Sequence, residues 1–235
     1  LYYWYNTNKK LDSLQFIVTN NDLIDTLTVK LRNQNIDSLK IKALQNNYIS
    51  FLDKVQFHAN TPFDRIDTTK ISIINKDSID VDFKTSLDTI KNTYSFQFEK
   101  QEEESYDFEF LPGAFTDLYD SSNDTLSYSY KTKTYDDYGN LRLMLRNVEY
   151  PAIVQLTTRQ GEIKYEKIIS SNENIDFNHV TPNKYYVRVI FDQNKNGKYD
   201  SGNYFNKLFP ERVSHLEEEL DIRAGWDLVQ EFILK

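Results

Sequence analysis

The sequence predicts an all-β fold built as sandwiches in tandem, and three observations lead there. Apolar and polar residues alternate with period two along most of the chain, the mark of strands with one buried face. No window carries apolar residues at i, i+3, i+4 and i+7 over three turns, so helix content is expected to be low. The aromatics, 14% of the chain, are mostly Tyr (17) and Phe (15), which favour pleated, half-buried surfaces.

Each strand rests on its own alternation. Leu27, Val29 and Leu31 alternate with Thr28, Lys30 and Arg32, and Leu39, Ile41 and Ala43 with lysines. The pattern continues through Val55-Phe57-Ala59, Ile79-Val81-Phe83, Tyr94-Phe96-Phe98, Tyr106-Phe108-Phe110 and Leu126-Tyr128-Tyr130. It resumes at Leu141-Leu143-Leu145 and in the stretches 152–158, 163–169, 185–191 and 228–234. Short strands at spacings of roughly 8–12 residues point to sandwiches or a barrel.

Two breaks in the alternation set the expected boundaries. One is LQNNY at 44–48, the other KTKTYDD at 131–137. Residues 1–47 are then read as terminal strands of an upstream β domain or an extension. Residues 48–135 and 136–235 form two blocks, each about the size of a seven-stranded immunoglobulin-like sandwich. The chain opens at Leu1 with no Met and no signal segment, and is read as a piece of a longer precursor.

Composition excludes several functions. The net charge of −8 argues against nucleic acid or an anionic lipid surface as the main partner. With no cysteine, disulfides, thiolate catalysis and Cys-ligated zinc are ruled out. No run of about 18 apolar residues is present to span a membrane as a helix. The abundance of Asn, Lys, Ile, Asp and Tyr, with few Ala, Gly and Pro, is what an AT-rich bacterial genome tends to encode.

The sharpest motif follows the alternating strand YYVRVIF and reads DQNKNGKYD, from Asp192 to Asp200. Asp192, Asn194, Asn196 and Asp200 fall at positions 1, 3, 5 and 9 of an EF-hand-type loop. The Lys198 carbonyl stands at position 7 and Gly197 at the sharp turn. Oxygen ligands at every second residue wrap a hard cation, so structural Ca2+ is the expected cofactor. Position 12 is Asn203 where a bidentate Glu belongs, and two ligands are neutral, so affinity in the millimolar range is expected. The competing reading is a long hairpin loop of Asx turns that holds itself without metal.

A tripeptide of Asp, then Ser or Thr, then an aliphatic residue or Thr recurs seven times. Its hydroxyl residues are Ser13, Thr26, Ser38, Thr68, Ser78, Thr89 and Thr125. Asp followed by Ser or Thr ends a turn, and the aliphatic residue starts a strand. The tripeptide also resembles the O-glycosylation sequon of Bacteroidota, which implies an exported protein modified at some of these seven residues. Both readings stand at this point.

Catalysis finds little support. His58, His179 and His215 lie far apart with no metal-ligand spacing, and no nucleophile elbow, phosphate loop or dinucleotide fingerprint occurs. The runs Glu102–Glu104 and Glu217–Glu219 are expected to be solvated faces, and His58 a strand residue facing water. Trp4 and Trp226 with the many Tyr offer a sugar-stacking platform. The competing assignment puts Tyr94, Tyr128 and Tyr130 in the core or in cross-strand pairs, with Trp226 capping a core.

The strings YYVRVIFDQNKNGKYDSGNY, FPERV and LDIRAGWDLVQEF resemble the end of the Ig-like domain-containing outer-membrane lipoproteins of Bacteroidota. TPFDRIDTTKISI and FLPGAFTDLYDSSNDTLSYSYKTK resemble the opening and closing of a bacterial Ig-like domain, and DYGNLRLML the start of the final domain. The resemblance covers about residues 50–235. It implies a bacterial Ig-like sandwich at 48–135 and a transthyretin-like, carboxypeptidase-regulatory-like sandwich at 136–235. It also implies a lipid anchor upstream of Leu1. The expectation is a non-catalytic cell-surface scaffold that contacts β-barrel or other envelope proteins of an outer-membrane complex, in barrel assembly or export. The loop 192–204 and the acidic stretch 99–104 are its candidate contact surfaces. The alternative is a carbohydrate-binding module of a glycan-capture lipoprotein. A third reading makes the chain the accessory part of an enzyme.

Overall fold

A computed structural model describes residues 4–6, 11–20, 23–31, 38–171 and 174–234. Among them helix is confined to two short 3-10 turns, Thr68–Lys70 and Tyr135–Asp137, and strands make the rest of the regular structure. The fold is all-β. The chain divides into two compact units. Leu1–Asn47, Lys54–Phe98 and Ser105–Tyr130 belong to the first, and Tyr48–Asp53, Glu99–Glu104 and Lys131–Lys235 to the second.

The first unit begins with a hairpin of β1 (Ser13–Asn20) and β2 (Leu23–Lys30). Its body follows as β3 (Ile41–Ala43), β4 (Val55–Ala59), β5 (Phe63–Ile66), β6 (Ile71–Asn75), β7 (Lys84–Asp88) and β8 (Thr93–Gln97). β9 (Ser105–Phe110), β10 (Phe115–Asp117) and β11 (Leu126–Lys131) complete it. Two sheets, ordered β3-β4-β8-β7 and β11-β9-β6, carry the body, and β10 pairs with β5.

Their shared core is aromatic. Phe57 and Phe96 project from one sheet, Phe108 and Phe110 from the other, all at most 1% exposed. Edge-to-face contacts join them: Phe57 and Phe110 lie 4.9 Å apart at 85°, and Phe110 and Phe115 5.1 Å apart at 89°. Edge-to-face pairs contribute about 0.5–1.5 kcal/mol each beyond the burial of their area.

One predicted strand is displaced. Ile79, Val81 and Phe83 alternate as a strand should, yet only a single bridge, Ile74 to Asp80, forms there. The Asn75 carboxamide oxygen accepts the N–H groups of Asp77 and Ile79 at 3.0 and 2.9 Å. That side chain turns the backbone away from the ladder, and pairing resumes only at Lys84.

The second unit gathers three segments. Ile49 N–H donates to the Lys131 carbonyl, and the backbones of Glu103 and Glu104 pair with those of Lys133 and Thr132. The strands follow as β12 (Gly139–Arg146), β13 (Ala152–Thr157), β14 (Ile163–Ile169), β15 (Ile175–Val180) and β16 (Asn183–Phe191). β17 (Val213–His215), β18 (Leu220–Ile222) and β19 (Asp227–Ile233) end the chain. One sheet runs β15-β12-β19, the other β14-β13-β16-β17 with β18 also on β16.

The first and last strands of this unit pair in parallel, from Asn140 opposite Asp227 to Arg146 opposite Ile233. The core between its sheets is largely aliphatic, with Leu141, Leu143, Val154, Leu156, Val187 and Val189 at most 1% exposed. Ile153 and Ile190, cross-strand partners on the opposite face, are also buried, so β13 and β16 are covered on both sides.

Truncating a wholly buried phenylalanine forfeits both burial and ring contacts. Phe110→Ala is expected to cost about 3–5 kcal/mol, read from urea unfolding followed by tyrosine fluorescence. A loss below about 1 kcal/mol would show that the aromatic core does not carry the first unit.

Candidate functional site

β16 delivers its last apolar residue, Phe191, into the core, and the chain turns out at Asp192, which is only 2% exposed. Burying a carboxylate requires donors, and the loop supplies them. Asn196 N–H donates to Asp192 Oδ1 at 3.0 Å, and Gly197 N–H to Oδ2 at 2.8 Å. Gly197 has φ +71°, and a Cβ there would meet the Ile168 side chain at 3.1 Å, which explains the glycine. Asn194 Oδ1 accepts from Asn196 N–H, and Asn196 Oδ1 from Lys198 N–H. The Asn194 and Asn196 amide groups donate to Asp200 Oδ2 at 2.5 and 2.7 Å.

The structure thus brings Asp192, Asn194, Asn196 and Asp200 together, with Lys198 contributing its N–H to the turn. The Asx turns of the competing reading are present and satisfy one another. Among the described residues no three His, Cys, Asp or Glu side chains are grouped to hold a metal. The carboxylate and carboxamide oxygens nonetheless keep lone pairs beyond those bonds, and hard oxygen donors of this kind suit calcium.

Sequence reading missed Glu211. Asn203, at the position where a twelfth-residue Glu belongs, instead pairs with Leu208 across a small arm. Beyond that arm Glu211, 8% exposed, returns to the loop. Its Oε1 accepts Gln193 N–H at 3.0 Å and its Oε2 accepts Asp200 N–H at 3.1 Å, while its own N–H donates to the Asp200 carbonyl. The only signal in the sequence is a Glu just after Pro210, on the far side of a segment opened by Gly202.

Other candidates fall as follows. All seven hydroxyl residues of the repeated tripeptide are exposed. His58 faces water from β4, with Nδ1 3.1 Å from the Lys91 carbonyl. His179 stacks on Tyr135 at 4.4 Å, and His215 lies exposed on β17. Tyr94 and Tyr130 are buried and Tyr128 half-buried. The expectation that Trp226 caps a core is corrected: it is 57% exposed in a turn, with the Arg223 guanidinium 5.0 Å from its ring. Trp4, in the first unit, is also exposed. The acidic runs are not uniformly solvated, since Glu104 is buried and Glu219 accepts from Lys184 and Tyr186.

A groove of about 290 Å3 lies on the sheet β15-β12-β19, lined by Asn140, Arg142, Asp176, Asn178 and Asp227 together with Leu141, Leu228 and Val229. Arg142 forms a bidentate pair with Asp176 at 2.6 and 2.8 Å, which holds the Asp176 carboxyl below the usual carboxylate range. Asn140 Nδ2 donates to Asp227 Oδ1 at 2.8 Å.

No protein-family model matches the sequence, and no curated protein matches it either. Solved structures give low-identity likenesses. The major pilin subunit BcpA of Bacillus cereus is 11% identical with a TM-score of 0.29, over 94% of this chain and 78% of that one. The MG0-NIE-MG1 part of native alpha-2-macroglobulin from Escherichia coli is 11% identical with a TM-score of 0.35, over 77% and 71%. The T6 backbone pilin of serotype M6 Streptococcus pyogenes is 8% identical with a TM-score of 0.25, over 89% and 70%.

Another buried charge lies in the same unit. Lys100, 7% exposed, donates from Nζ to the carbonyls of Asp53 at 2.8 Å and Phe51 at 3.3 Å. Burial pulls its ammonium down to about 8 against the attraction of Asp53, and burial raises the Asp53 carboxyl despite Lys100 and Lys164. Between pH 8 and the usual lysine value of 10.5 the unfolded chain holds a proton that the folded chain has released, so this group's contribution to stability rises with pH there. Parent stability relative to Lys100→Met is expected to rise by about 1–2 kcal/mol between about pH 7.5 and 9.5, measured by urea unfolding. A difference that does not change with pH would contradict the burial of this charge.

Proposed function

We propose that the chain is a non-catalytic scaffold of the bacterial cell envelope that makes protein–protein contacts. The carrying observation is the hairpin β1–β2. Its register places Leu14, Phe16, Val18, Leu23, Leu27 and Val29 on one face with Asn20 and Asp25, and Ile17 and Ile24 among Thr, Gln, Ser and Lys on the other. Leu23 is 64% exposed and Leu27 50%, an apolar sheet face of the kind that protein interfaces cover. The finer reading is an outer-membrane lipoprotein, tethered through a lipid upstream of Leu1, that holds a β-barrel protein in a complex for assembly or export. The resemblance of residues 50–235 supports it. Exposure of all seven tripeptide hydroxyls supports export with O-glycosylation at some of them.

Affinity purification of the full-length protein from its native membrane tests this reading. Stoichiometric recovery of a β-barrel protein from the parent, and its loss from Leu23→Asp with Leu27→Asp, is the expected result. Recovery of the protein alone would overturn it. The groove of Asn140, Arg142, Asp176 and Asp227 favours a second reading, a carbohydrate-binding module, because its polar rim suits sugar hydroxyls and Trp226 is exposed beside Asp227. Retention of a glycan by the parent and not by Asp227→Ala would turn the assignment that way.

In this proposal the loop from Asp192 to Asp200 holds a structural Ca2+ in the millimolar range, with Glu211 supplying the acidic group absent at Asn203. Calcium is expected to raise the melting temperature of the parent and leave Asp192→Ala with Asp200→Ala unmoved. An equal response in both proteins would sink the assignment.

A further inference from the structure

We propose that the arm at residues 199–209 is a membrane-insertion tip that seats in the headgroup layer of a bilayer bearing anionic lipids. The arm is rigidly built. Asn203 and Leu208 exchange two backbone hydrogen bonds of 2.9 Å, Asn206 N–H donates to Asn203 Oδ1 at 3.0 Å, and Lys207 N–H to the Tyr204 carbonyl. Gly202 has φ +76°, and a Cβ there would come within 2.6–2.7 Å of the backbone from Leu208 to Pro210. Both ends of the arm are clamped, since Glu211 binds the amide of Asp200.

This rigid support carries apolar side chains into water. Tyr204 is 92% exposed, Phe205 91%, Phe209 92% and Leu208 61%. A strand that docks in a protein groove presents alternate residues on one face. Here consecutive residues, Tyr204 with Phe205 and Leu208 with Phe209, are exposed together, so the tip has no single face to offer. An environment that is apolar from every direction suits such a tip, and the boundary between headgroups and acyl chains is one. Tyrosine prefers that level, and a lysine stem can reach back to the phosphates.

Charge points the same way. Lys195, Lys198 and Lys207 are exposed, whereas Asp192 and Glu211 are buried and Asp200 is half-buried, each accepting hydrogen bonds from the loop. A chain of net charge −8 therefore turns lysines outward around this apolar projection. That local sign complements anionic headgroups where the whole-chain charge does not.

The test is flotation of the soluble chain, without any lipid modification, on vesicles of phosphatidylcholine with and without phosphatidylglycerol. The parent is expected to float with the phosphatidylglycerol vesicles. Phe205→Ser with Phe209→Ser should weaken that binding about tenfold or more with an unchanged melting temperature, and Lys207→Glu should weaken it on the anionic vesicles. A parent that stays below both kinds of vesicle, or a double variant that floats equally well, would overturn the proposal. So would self-association of the parent in lipid-free buffer that the double variant abolishes, because the arm would then be covered by a second copy. None of these readings depends on the barrel-holding scaffold, whose failure shows separately in the pull-down.

Discussion

A charged group can leave water only where hydrogen-bond partners meet it, and that constraint shapes the loops of both units. The charged residues buried among those described are Lys100, Glu104, Asp117, Asp192 and Glu211. Each stands in a connection or at a strand end. Asp117, wholly buried at the end of β10, accepts the Tyr119 and Ser121 N–H groups on Oδ1 and the Thr61 hydroxyl on Oδ2. Asp192 and Glu211 collect backbone amides in the same way, and Lys100 spends its ammonium on carbonyls. Leaving any of these partners unmade would cost about 1–3 kcal/mol or more, so the loops are nearly as fixed as the sheets they join. Functional surfaces are then carried on firm supports rather than on slack chain.

How much of this was legible follows from what a period of two can report. Alternation marks a strand with one face in the core and the other in water, so Val55–Ala59, Ser105–Phe110 and Gly139–Arg146 were readable. It is silent about an edge strand whose residues are all exposed, such as Lys84–Asp88, and about three-residue strands such as Val213–His215. It misleads where a side chain diverts the backbone, as Asn75 does before Ile79. The clustering of Asp192, Asn194, Asn196 and Asp200 was legible because Asx-turn spacing is local. Glu211 was not, because its approach depends on an arm that doubles back on itself, and no short-range pattern encodes that closure.

The two units reach similar sandwiches by different packing. In the first, Phe rings from facing sheets meet edge to face, which suits few, large, directional contacts. In the second, aliphatic side chains fill the space between sheets, and closure comes from pairing β12 with β19, strands at opposite ends of the segment. Contacts so far apart in sequence slow folding relative to local ones.

The repeated tripeptide shows that a structural and a chemical reading can share one cause. Asp67 Oδ1 accepts the Thr69 N–H and hydroxyl, and Asp88 Oδ1 accepts the N–H groups of Ile90 and Lys91. In both cases the carboxylate reaches past the next residue to bind the backbone beyond it, as Asx turns do. The residue that is skipped, Thr68 or Thr89, is left with its side chain in water. Turn formation thus leaves the hydroxyl in water, beside an acidic neighbour already committed to the backbone. At Asp25 the contact is shorter in sequence, with Thr26 N–H itself donating, and Thr26 is exposed on the polar face of its hairpin. A preference for Asp before Ser or Thr is therefore expected from turn chemistry alone, and the same turns leave the intervening hydroxyls exposed.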